Sequence, residues 1–450
     1  MKFICPEADL EESIALWSHR RPPKTLSFEQ SAAAYQTWFE EGQAMFKGLP
    51  NRPKRAEVEQ NQAMRITETM SEARSKFVRI HGGEVYRTLR ERAGKPLRVE
   101  DLAYAAGESF PGLVPVRQDV LQELALPQRE KEGIELAQGI LFSEWLRDEE
   151  AGDRIMRDMR LAKKESLALF PEFERTGFVD LGQARIQRAN QIAHVEMCNT
   201  QFLNAEDDGQ LEALETCVDL ALLDPSIKLG VLRGARMKHP KYLNRRVFCS
   251  GLNLTHLADG KLSFLFYISR ELGLVSKLYR GLAVETGLDV EIPWVAAVEG
   301  HAIGGGCQLL LVMDYVLIED DAFISLPARK EGFIPGAANL RLPRFLGERA
   351  ARQAIFCNRV FAANSPDCRL LVDEVVPAGS MDAALDRALD NLMNSGMVSM
   401  ASNRRALREG EEPLSLFRSY MATFSVEQAR CHFSPALITN LERSWTNRNS

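Results

Sequence analysis

The sequence predicts an α/β protein with a long helical region before the α/β core and a shorter helical region after it. Residues 1–182 carry charged amphipathic patterns at helical spacing, most clearly in 57–94. From about residue 183 the pattern changes to short apolar segments separated by helical stretches. Strands and helices that alternate at this spacing indicate βαβ crossovers, and therefore a sheet with parallel strands.

The elements of the core follow in order along the chain. A strand-like alternation at 184–197 precedes a turn and a helix at 203–227, in which acidic residues suit the positive end of the helix dipole. Three buried-type strands are predicted at 229–235, 293–300 and 315–320. Helices are predicted at 262–286, 305–313 and 347–357.

These patterns predict three parts of the chain. Residues 1–182 form a helical N-terminal domain, and residues 183–400 form the α/β domain. Residues 401–450 are charged and helical again, and we expect them to mediate subunit contacts. The N-terminal region carries no evident chemistry, so we interpret it as a packing or assembly domain.

The charge and the apolar pattern exclude several classes of protein. The 450 residues include 56 basic and 62 acidic side chains, a formal net charge of −6. Such a chain lacks the excess of positive charge typical of nucleic-acid binding proteins. No uncharged apolar run approaches the roughly 18 residues of a membrane span, and acidic residues occur where a signal peptide would be apolar. We therefore expect a cytoplasmic protein with no nucleic-acid or membrane partner.

The cysteines and histidines form no metal or redox motif. The eight cysteines are scattered without a CxxC pair, and the seven histidines form no HExxH motif or short cluster. We expect free thiols in a reducing compartment and no metal site.

Three consecutive glycines, Gly304 to Gly306, follow a predicted strand and precede an apolar helical run. Glycine allows a backbone to approach a ligand closely, and a helix that begins there directs free N–H groups at the ligand. Such a place suits a developing oxyanion, although a strand-to-helix turn without a ligand is an equal alternative. The pattern is a poor match to the GxGxxG of a dinucleotide site.

A second sharp turn is predicted after a basic loop at residues 238–246. Ser250 and Gly251 would turn the chain there and present the N–H group of Leu252. Taken alone, this segment is best interpreted as an ordinary loop.

Together, these segments resemble the crotonase (enoyl-CoA hydratase/isomerase) superfamily. The resemblance rests, in the family's order and spacing, on FCSGLNL (248–254), VEGHAIGGGC (298–307) and LPARKEGFIPG (326–336). It implies a crotonase-like ββα superhelix over residues 183–400, an acyl-CoA substrate and a homotrimer or homohexamer. It also implies that the N–H groups of Leu252 and Gly305 form an oxyanion hole for the thioester.

The chain departs from the family's hydratases at the two positions where those enzymes carry glutamates. These positions hold Gln308 and Ala328. An amide and a methyl group cannot act as general acid and base, so we do not expect hydration of an enoyl-CoA. Enolate stabilisation by the backbone remains possible.

One branch of the superfamily shares this combination, namely the cofactor-independent dioxygenases that act on 3,5-dihydroxyphenylacetyl-CoA in dihydroxyphenylglycine and antibiotic biosynthesis. That resemblance runs nearly end to end and includes FPGLVP (110–115), LNAEDD (203–208) and SRELG (269–273). It implies O2 as co-substrate, no cofactor and no metal, and 3,5-dihydroxyphenylglyoxylate and CoA as products.

Carried onto this chain, the resemblance assigns catalytic roles to Leu252, Gly305, Gln308, Arg270 and Glu206. It assigns substrate binding to Ser250, Gly251, Asn253, Gly304 and Ile334. Each polar side chain has an alternative interpretation. Glu206 would complement a helix N-terminus, Arg270 would be a solvated or ion-paired arginine, and Gln308 would be a capping amide.

Several points stay open on the residues alone. Cys249 and Cys307 flank the oxyanion segments, but we interpret both as packing residues because no histidine is evidently paired with either. No base for the α-proton is evident, and Glu206 is a candidate only where geometry allows. Contacts to the CoA phosphates are expected from the loop at 238–246. An arylacetyl-CoA thioesterase or enoyl-CoA isomerase, and a non-catalytic crotonase-like binding protein, are the alternatives.

Overall fold

The computed structural model describes residues 7–23, 26–284, 287–394 and 396–444. The chain divides into two compact units. One comprises Met1–Ile155, Ala258–Leu265 and Met421–Pro435, and the other comprises Met156–Leu257, Phe266–Tyr420 and Ala436–Ser450. The second unit contains all ten predicted site residues. The domain limits expected at residues 182 and 400 stay predictions.

The first part of the chain is helical, which confirms the helical character predicted for it. Its helices are α1 (Glu7–His19), α2 (Phe28–Lys47), α3 (Glu57–Ala93), α4 (Val99–Ser109), α5 (Arg117–Leu124), α6 (Leu136–Arg147) and α7 (Glu149–Met159). The amphipathic stretch at 57–94 is one helix, α3, whose buried stripe includes Ile66, Phe77 and Val85. This helix ends before Gly94, which takes a positive φ of 60°.

The second unit is built on two sheets, so the predicted α/β class is confirmed. The strands are β1 (Phe178–Asp180), β2 (Ala184–Ala189), β3 (Ile192–Met197), β4 (Leu229–Gly234), β5 (Trp294–Val298), β6 (His301–Ile303), β7 (Tyr315–Glu319), β8 (Phe323–Ser325), β9 (Val360–Ala362) and β10 (Glu374–Val376). The larger sheet has the order β1-β2-β3-β4-β5-β7-β10, and the smaller has the order β6-β8-β9. Strands β3, β4, β5, β7 and β10 are parallel, while β1, β2 and β3 pair antiparallel.

The remaining helices surround these sheets and continue to the end of the described chain. They are α8 (Lys164–Thr176), α9 (Asp208–Leu223), α10 (Leu254–Ala258), α11 (Leu265–Ser269), α12 (Ser276–Arg280), α13 (Gly305–Leu310), α14 (Ala328–Glu331), α15 (Ala338–Cys357), α16 (Met381–Met393), α17 (Met397–Glu411), α18 (Leu414–His432) and α19 (Pro435–Ser444). A π-helix, Arg270–Val275, joins α11 to α12.

Three elements differ from the sequence-based expectations. The alternation at 184–197 is a hairpin of β2 and β3, because Asn190 takes a positive φ of 55° and turns the chain. The helix expected at 262–286 ends at Arg280, where Gly281 takes a φ of 80°. Residues 285 and 286 of that prediction lie outside the described residues. The helix expected at 347–357 is present, but α15 also includes an earlier segment from Ala338, which joins it at a kink where Gly347 takes a φ of 71° and a ψ of 161°.

The core of the second unit lies between the parallel strands and α16. Side chains of β4, β5, β7 and β10 pack there against one face of this helix: Leu229, Val231, Val295, Ala297, Leu317, Val376, Met381, Ala384, Leu385, Ala388 and Leu389. In β4 and β5 successive residues are buried rather than alternate ones, as expected for parallel strands covered on both faces.

A buried ion cluster holds α15 and α17 together around Glu412. The Glu412 carboxylate is fully buried and accepts hydrogen bonds from Arg341 at 2.9 and 3.0 Å, from Arg280 at 3.0 Å and from Arg344 at 3.1 Å. Burial alone would raise the pKa of Glu412, but these arginines lower it from 4.5 to about 2. The cluster therefore stabilises the fold only while Glu412 is ionised.

Replacing Glu412 with glutamine should destabilise the protein by about 3 to 5 kcal/mol at pH 7, because buried arginine charges lose their partner. Urea unfolding measures this change, with the exposed Glu409→Gln as matched control. Since the folded pKa is depressed, the stabilisation is complete above pH 4.5 and declines as the pH falls towards 2. A Glu412→Gln variant as stable as the control at pH 7 would contradict this role.

Candidate active site

Three backbone segments lie side by side just beyond the carboxyl ends of the parallel strands β3, β4 and β5. The N–H group of Cys249 donates to the carbonyl of His301 at 3.2 Å, and the N–H group of Ile303 donates to the carbonyl of Cys249 at 2.9 Å. These bonds align residues 249–253 with residues 301–305. The carboxyl ends of parallel strands are where open α/β sheets commonly bind ligands.

The third segment is aligned by Glu206, which pairs with Leu252 in a parallel bridge. The Glu206 N–H group donates to Gly251 at 2.7 Å, and the Asn253 N–H group donates to the carbonyl of Glu206 at 2.8 Å. In this bridge the hydrogen bonds are made by the two neighbours of Leu252, so the N–H and C=O groups of Leu252 itself point away from the partner strand. The Leu252 N–H group therefore faces away from Glu206, and no acceptor for it occurs among the described residues.

The glycine turn brings Gly305 next to this segment. A methyl group at Gly251 would lie 3.4 Å from the backbone nitrogen of Gly305, so the space between the two turns is no larger than one methyl group. Gly305 begins α13, and its N–H group likewise meets no acceptor in the part of the chain that the structure describes. Leu252 and Gly305 thus lie close together, each with an unused N–H group.

Glycine is required at two positions of this turn for different reasons. Gly304 has a φ of 52° and a ψ of −109°, a backbone conformation that residues with a Cβ rarely adopt. At Gly305 the constraint is space, because an added methyl group would overlap the carboxylate of Glu206. The carboxylate of Glu206 therefore lies directly against the candidate oxyanion turn.

Arg270 joins the predicted polar residues into one buried cluster. Its guanidinium donates to Glu206 at 2.9 Å, to Gln308 Oε1 at 2.9 Å, to Glu271 at 2.8 Å and to the carbonyl of Gly305 at 2.9 Å. Burial alone would lower the pKa of Arg270, but Glu206 and Glu271 raise it above its ordinary value. Arg270 is therefore a permanent cation that fixes the positions of its neighbours.

Arg270 is the first residue of the π-helix Arg270–Val275. Single turns of π-helix inside α-helices occur frequently at functional sites. The wider turn places Arg270 and the adjacent Glu271 in the same cluster, where both bond to one another.

The structure decides between two interpretations of the acidic residues before α9. Asp207 is the residue that caps the helix, because its side chain accepts a hydrogen bond from the Gln210 N–H group at 3.0 Å. Glu206 instead bonds through its side chain to Arg270. The residue that caps α9 is therefore Asp207, whereas the side chain of Glu206 is held by Arg270.

The side chain of the half-buried Gln308 uses its amide oxygen in a hydrogen bond to the protein, whereas its amide nitrogen is available to a ligand. Its Oε1 accepts from Arg270 at 2.9 Å, which fixes the orientation of the amide group. For the Nε2 group no acceptor occurs among the described residues, so its two N–H donors remain for a ligand.

Ser250 and Asn253, both predicted to bind substrate, already have protein partners. Ser250 Oγ donates to the carbonyl of Leu203 at 2.9 Å and lies 2.8 Å from His301 Nε2. The side chain of Asn253 donates to Asp207 at 3.0 Å and accepts from the His256 N–H group at 3.1 Å. Their substrate-binding roles stay predictions.

The other predicted substrate-binding residues lie at the turns themselves. Gly251 and Gly304 face each other, since a methyl group at Gly304 would lie 3.5 Å from the Cα atom of Gly251. Ile334 is half-buried, and its carbonyl accepts from the Gly336 N–H group at 2.9 Å.

A cavity of about 660 Å³ opens beside these segments. Its wall includes Leu252 and Ile303, the basic loop residue Lys241, and the charged residues Lys330 and Glu331. The volume lies in the range of small-molecule sites. The cavity therefore reaches from the paired turns to the predicted phosphate-binding loop.

Cys249 and Cys307 are buried and have raised thiol pKa values. Burial raises the pKa of Cys307 to about 12 and raises that of Cys249 further. Because the thiolate is the nucleophile, both thiols are inert at neutral pH, in agreement with a packing role.

The sequence did not point to three charged residues of this region. Glu271 bonds to Arg270, and Arg341 lies 3.5 Å from Glu271 on its other side. Glu331 lies on the cavity wall. Glu271 could have been predicted from its position beside Arg270. Glu331 could have been predicted because it lies one helical turn after Ala328, and residues i and i+3 of a helix share a face.

Two absences hold for the described ranges of the chain. Within them no three or more His, Cys, Asp or Glu side chains are grouped so that they could hold a metal ion. None of the helices in these ranges is both long enough and apolar enough to cross a lipid bilayer.

Comparison with known proteins gives consistent results. Residues 187–425 match the family model described as enoyl-CoA hydratase/isomerase. A (3,5-dihydroxyphenyl)acetyl-CoA 1,2-dioxygenase of Amycolatopsis orientalis is 42% identical over 389 residues, which cover 86% of this chain and 89% of the relative.

Solved structures of enoyl-CoA hydratases are also similar. One from Mycobacterium avium subsp. paratuberculosis K-10 aligns with a TM-score of 0.49 at 20% identity, over 60% of this chain and 96% of its own. One from Bacillus halodurans aligns with a TM-score of 0.49 at 17% identity, over 58% of this chain and 99% of its own.

The packing at Gly305 predicts the effect of one added methyl group. Gly305→Ala should displace Glu206 from Arg270 and destabilise the protein by about 1 to 3 kcal/mol, as overpacking of a core does. Gly410→Ala is the matched control, because a methyl group there meets no atom within 4 Å and improves helix propensity. Thermal unfolding should show a lower Tm for Gly305→Ala and no loss for Gly410→Ala. Equal Tm values would show that the turn is looser than described.

Proposed function

This chain belongs to the enoyl-CoA hydratase/isomerase family, and from that premise we propose that it is a dioxygenase of arylacetyl-CoA thioesters. The proposed reaction converts (3,5-dihydroxyphenyl)acetyl-CoA and O2 to 3,5-dihydroxyphenylglyoxylate and CoA. Support comes from the 42% identity to a dioxygenase of that name over most of both chains. It also comes from the absence of a carboxylate at Gln308 and Ala328, where hydratases need one.

The single observation that carries the proposal is the pair of unused N–H groups at Leu252 and Gly305. They lie on neighbouring turns, and Leu252 lines the cavity of about 660 Å³ in which we place the thioester. We assign them to the thioester oxygen. As the α-proton leaves, negative charge develops on that oxygen, and each donor contributes on the order of 3 kcal/mol to the transition state.

The buried polar cluster supports an aryl group with hydroxyl substituents. Arg270 fixes the amide of Gln308 and the carboxylate of Glu206, so that one side chain offers N–H donors and the other offers an acceptor oxygen. Two ring hydroxyls in a 3,5 arrangement match one donor and one acceptor. We propose that Gln308, Glu206 and Arg270 orient the ring in this way.

The chemistry then follows from the substrate. The enolate gives electrons to O2, and the resulting α-peroxide attacks the thioester carbon and expels the CoA thiolate. The O–O bond breaks as the second α-hydrogen leaves as a proton, so both oxygen atoms remain in the 2-oxo acid. Since the carbanion supplies the electrons, we propose that the reaction needs no flavin, haem or metal. Water must be excluded, because it would protonate the carbanion.

We further propose that the enzyme is a cytoplasmic homotrimer or homohexamer. Apolar side chains exposed on the C-terminal helices support a subunit contact, with Val398 83% exposed and Leu407 61% exposed. The seven described cysteines are free thiols, which suits a reducing compartment. Lys241 and His239, which line the cavity, are proposed to contact the CoA phosphates.

A thioesterase is the second candidate, because Ser250 Oγ lies 2.8 Å from His301 Nε2 beside the proposed oxyanion hole. A serine nucleophile needs a histidine that accepts its proton. Burial, together with Lys241, lowers the pKa of His301 to about 4, which makes it a weak base. Ser250 also donates to Leu203 rather than to His301. Both features disfavour the thioesterase.

The function is tested by following O2 and CoA in the same assay. The purified protein given (3,5-dihydroxyphenyl)acetyl-CoA under air should consume one O2 for each CoA released, and it should release no CoA under argon. Gln308→Ala should lower kcat/KM by about 10- to 100-fold, the effect of one lost hydrogen bond to a ring hydroxyl. The exposed Gln191→Ala is the matched control.

The thioesterase alternative predicts CoA release that does not depend on O2. CoA release that continues under argon and disappears in Ser250→Ala would establish the thioesterase. A stoichiometric flavin or iron in the active protein would overturn the cofactor-free mechanism.

A further inference from the structure

One carboxylate on the cavity wall is used by none of the contacts described above. Glu331 ends the short helix α14, and its side chain lines the same cavity as Leu252 and Ile303. Among the described residues it has no hydrogen-bond donor and no ion-pair partner; the electrostatic neighbour that acts on it is Lys330. A carboxylate in this setting is available for chemistry.

Its position relative to the oxyanion turn is set by Gly304. A methyl group at Gly304 would lie 4.0 Å from Glu331 Oε2 and 3.5 Å from the Cα atom of Gly251. The space over Gly304 therefore separates the Glu331 carboxylate from the turn that carries the Leu252 N–H group. Glycine at 304 keeps this space open, and an α-carbon attached to a carbonyl held at Leu252 and Gly305 would occupy it.

The other carboxylates near the turn are already committed. Glu206 accepts a hydrogen bond from Arg270 Nε at 2.9 Å and forms an ion pair with Nη2 at 2.8 Å. Glu271 is held by Arg270 at 2.8 Å and faces Arg341 at 3.5 Å. Proton uptake by either would break a buried ion pair, which is costly. Glu206 is therefore poorly suited as the base.

We propose that Glu331 is the general base that removes the α-proton of the thioester, an inference that rests on the proposed function. The α C–H bond breaks, its proton moves to Glu331, and its electron pair delocalises onto the thioester oxygen at the N–H groups of Leu252 and Gly305. The proton on Glu331 then serves the departing CoA thiolate, which restores the carboxylate.

The electrostatic setting suits this role at neutral pH. Burial raises the pKa of Glu331 from 4.5 to about 7, and Lys330 opposes only part of this effect. A base with a pKa near the working pH combines ionisation with affinity for the proton. The other titratable groups that face the cavity are His239, Lys241, Tyr242 and His301.

The test separates proton removal from reaction with O2. Wild-type protein mixed with (3,5-dihydroxyphenyl)acetyl-CoA in D2O under argon should incorporate deuterium at the α-carbon. Glu331→Gln should lower this exchange by about 100-fold or more, while the Kd for the thioester under argon changes by less than about threefold. Glu331→Asp should restore part of the rate. Glu348→Gln, an exposed carboxylate on α15, is the matched control.

The pH profile identifies the titrating group. Because the base acts when ionised, the exchange rate should rise through a pKa of about 7 and then level off. His239→Gln should show the same rise of the exchange rate with pH. Loss of that rise in His239→Gln would overturn the proposal, as would an exchange rate in Glu331→Gln equal to that of the wild type.

The remaining outcomes distinguish this inference from the proposed function. Glu331-dependent exchange without O2 consumption under air would support the base and contradict the dioxygenase. O2-coupled CoA release that is unaffected in Glu331→Gln would support the dioxygenase and overturn the base.

Discussion

A buried positive charge must be compensated, and in this protein the guanidinium of Arg270 is compensated by four groups from three segments of the chain. Glu206 follows β3, Glu271 lies on the π-helix, and Gln308 and the Gly305 carbonyl belong to α13. Each of these groups is thereby held in one orientation. Preorganisation of this kind is what a reaction with a charged intermediate requires.

The same charges link the site to the C-terminal helices. From Arg270 the ion pairs continue through Glu271 to Arg341 and from there to Glu412. Tyr420 on α18 donates to the carbonyl of Gly336, where an added methyl group would overlap Glu271 and Gln308. Removing one member would leave its partner charged, buried and unpaired. The free-energy cost of such an unpaired charge exceeds the stabilisation that the intact pair provides. The C-terminal helices therefore support the geometry of the site.

The parts predicted from sequence are those with a local cause. Glycines 304 to 306 follow a strand and precede a helix, and that order is sufficient to predict a backbone turn with free N–H groups. The α/β class follows from short apolar runs. By contrast, Glu271 and Arg341 are 70 residues apart, and no spacing rule relates them. Glu331 was not predicted for another reason: the family's glutamate position falls on Ala328, while the carboxylate lies one helical turn later on the same face.

The central claim is that the N–H groups of Leu252 and Gly305 hold the thioester oxygen while Gln308 meets the aryl ring. A crystal structure of the protein with (3,5-dihydroxyphenyl)acetyl-CoA, grown and frozen under argon, tests this most directly. We expect the carbonyl oxygen about 2.7 to 3.1 Å from both backbone nitrogens, and a ring hydroxyl within hydrogen-bond distance of Gln308 Nε2. A carbonyl oxygen bound elsewhere, or a ring turned away from Gln308, would contradict the account.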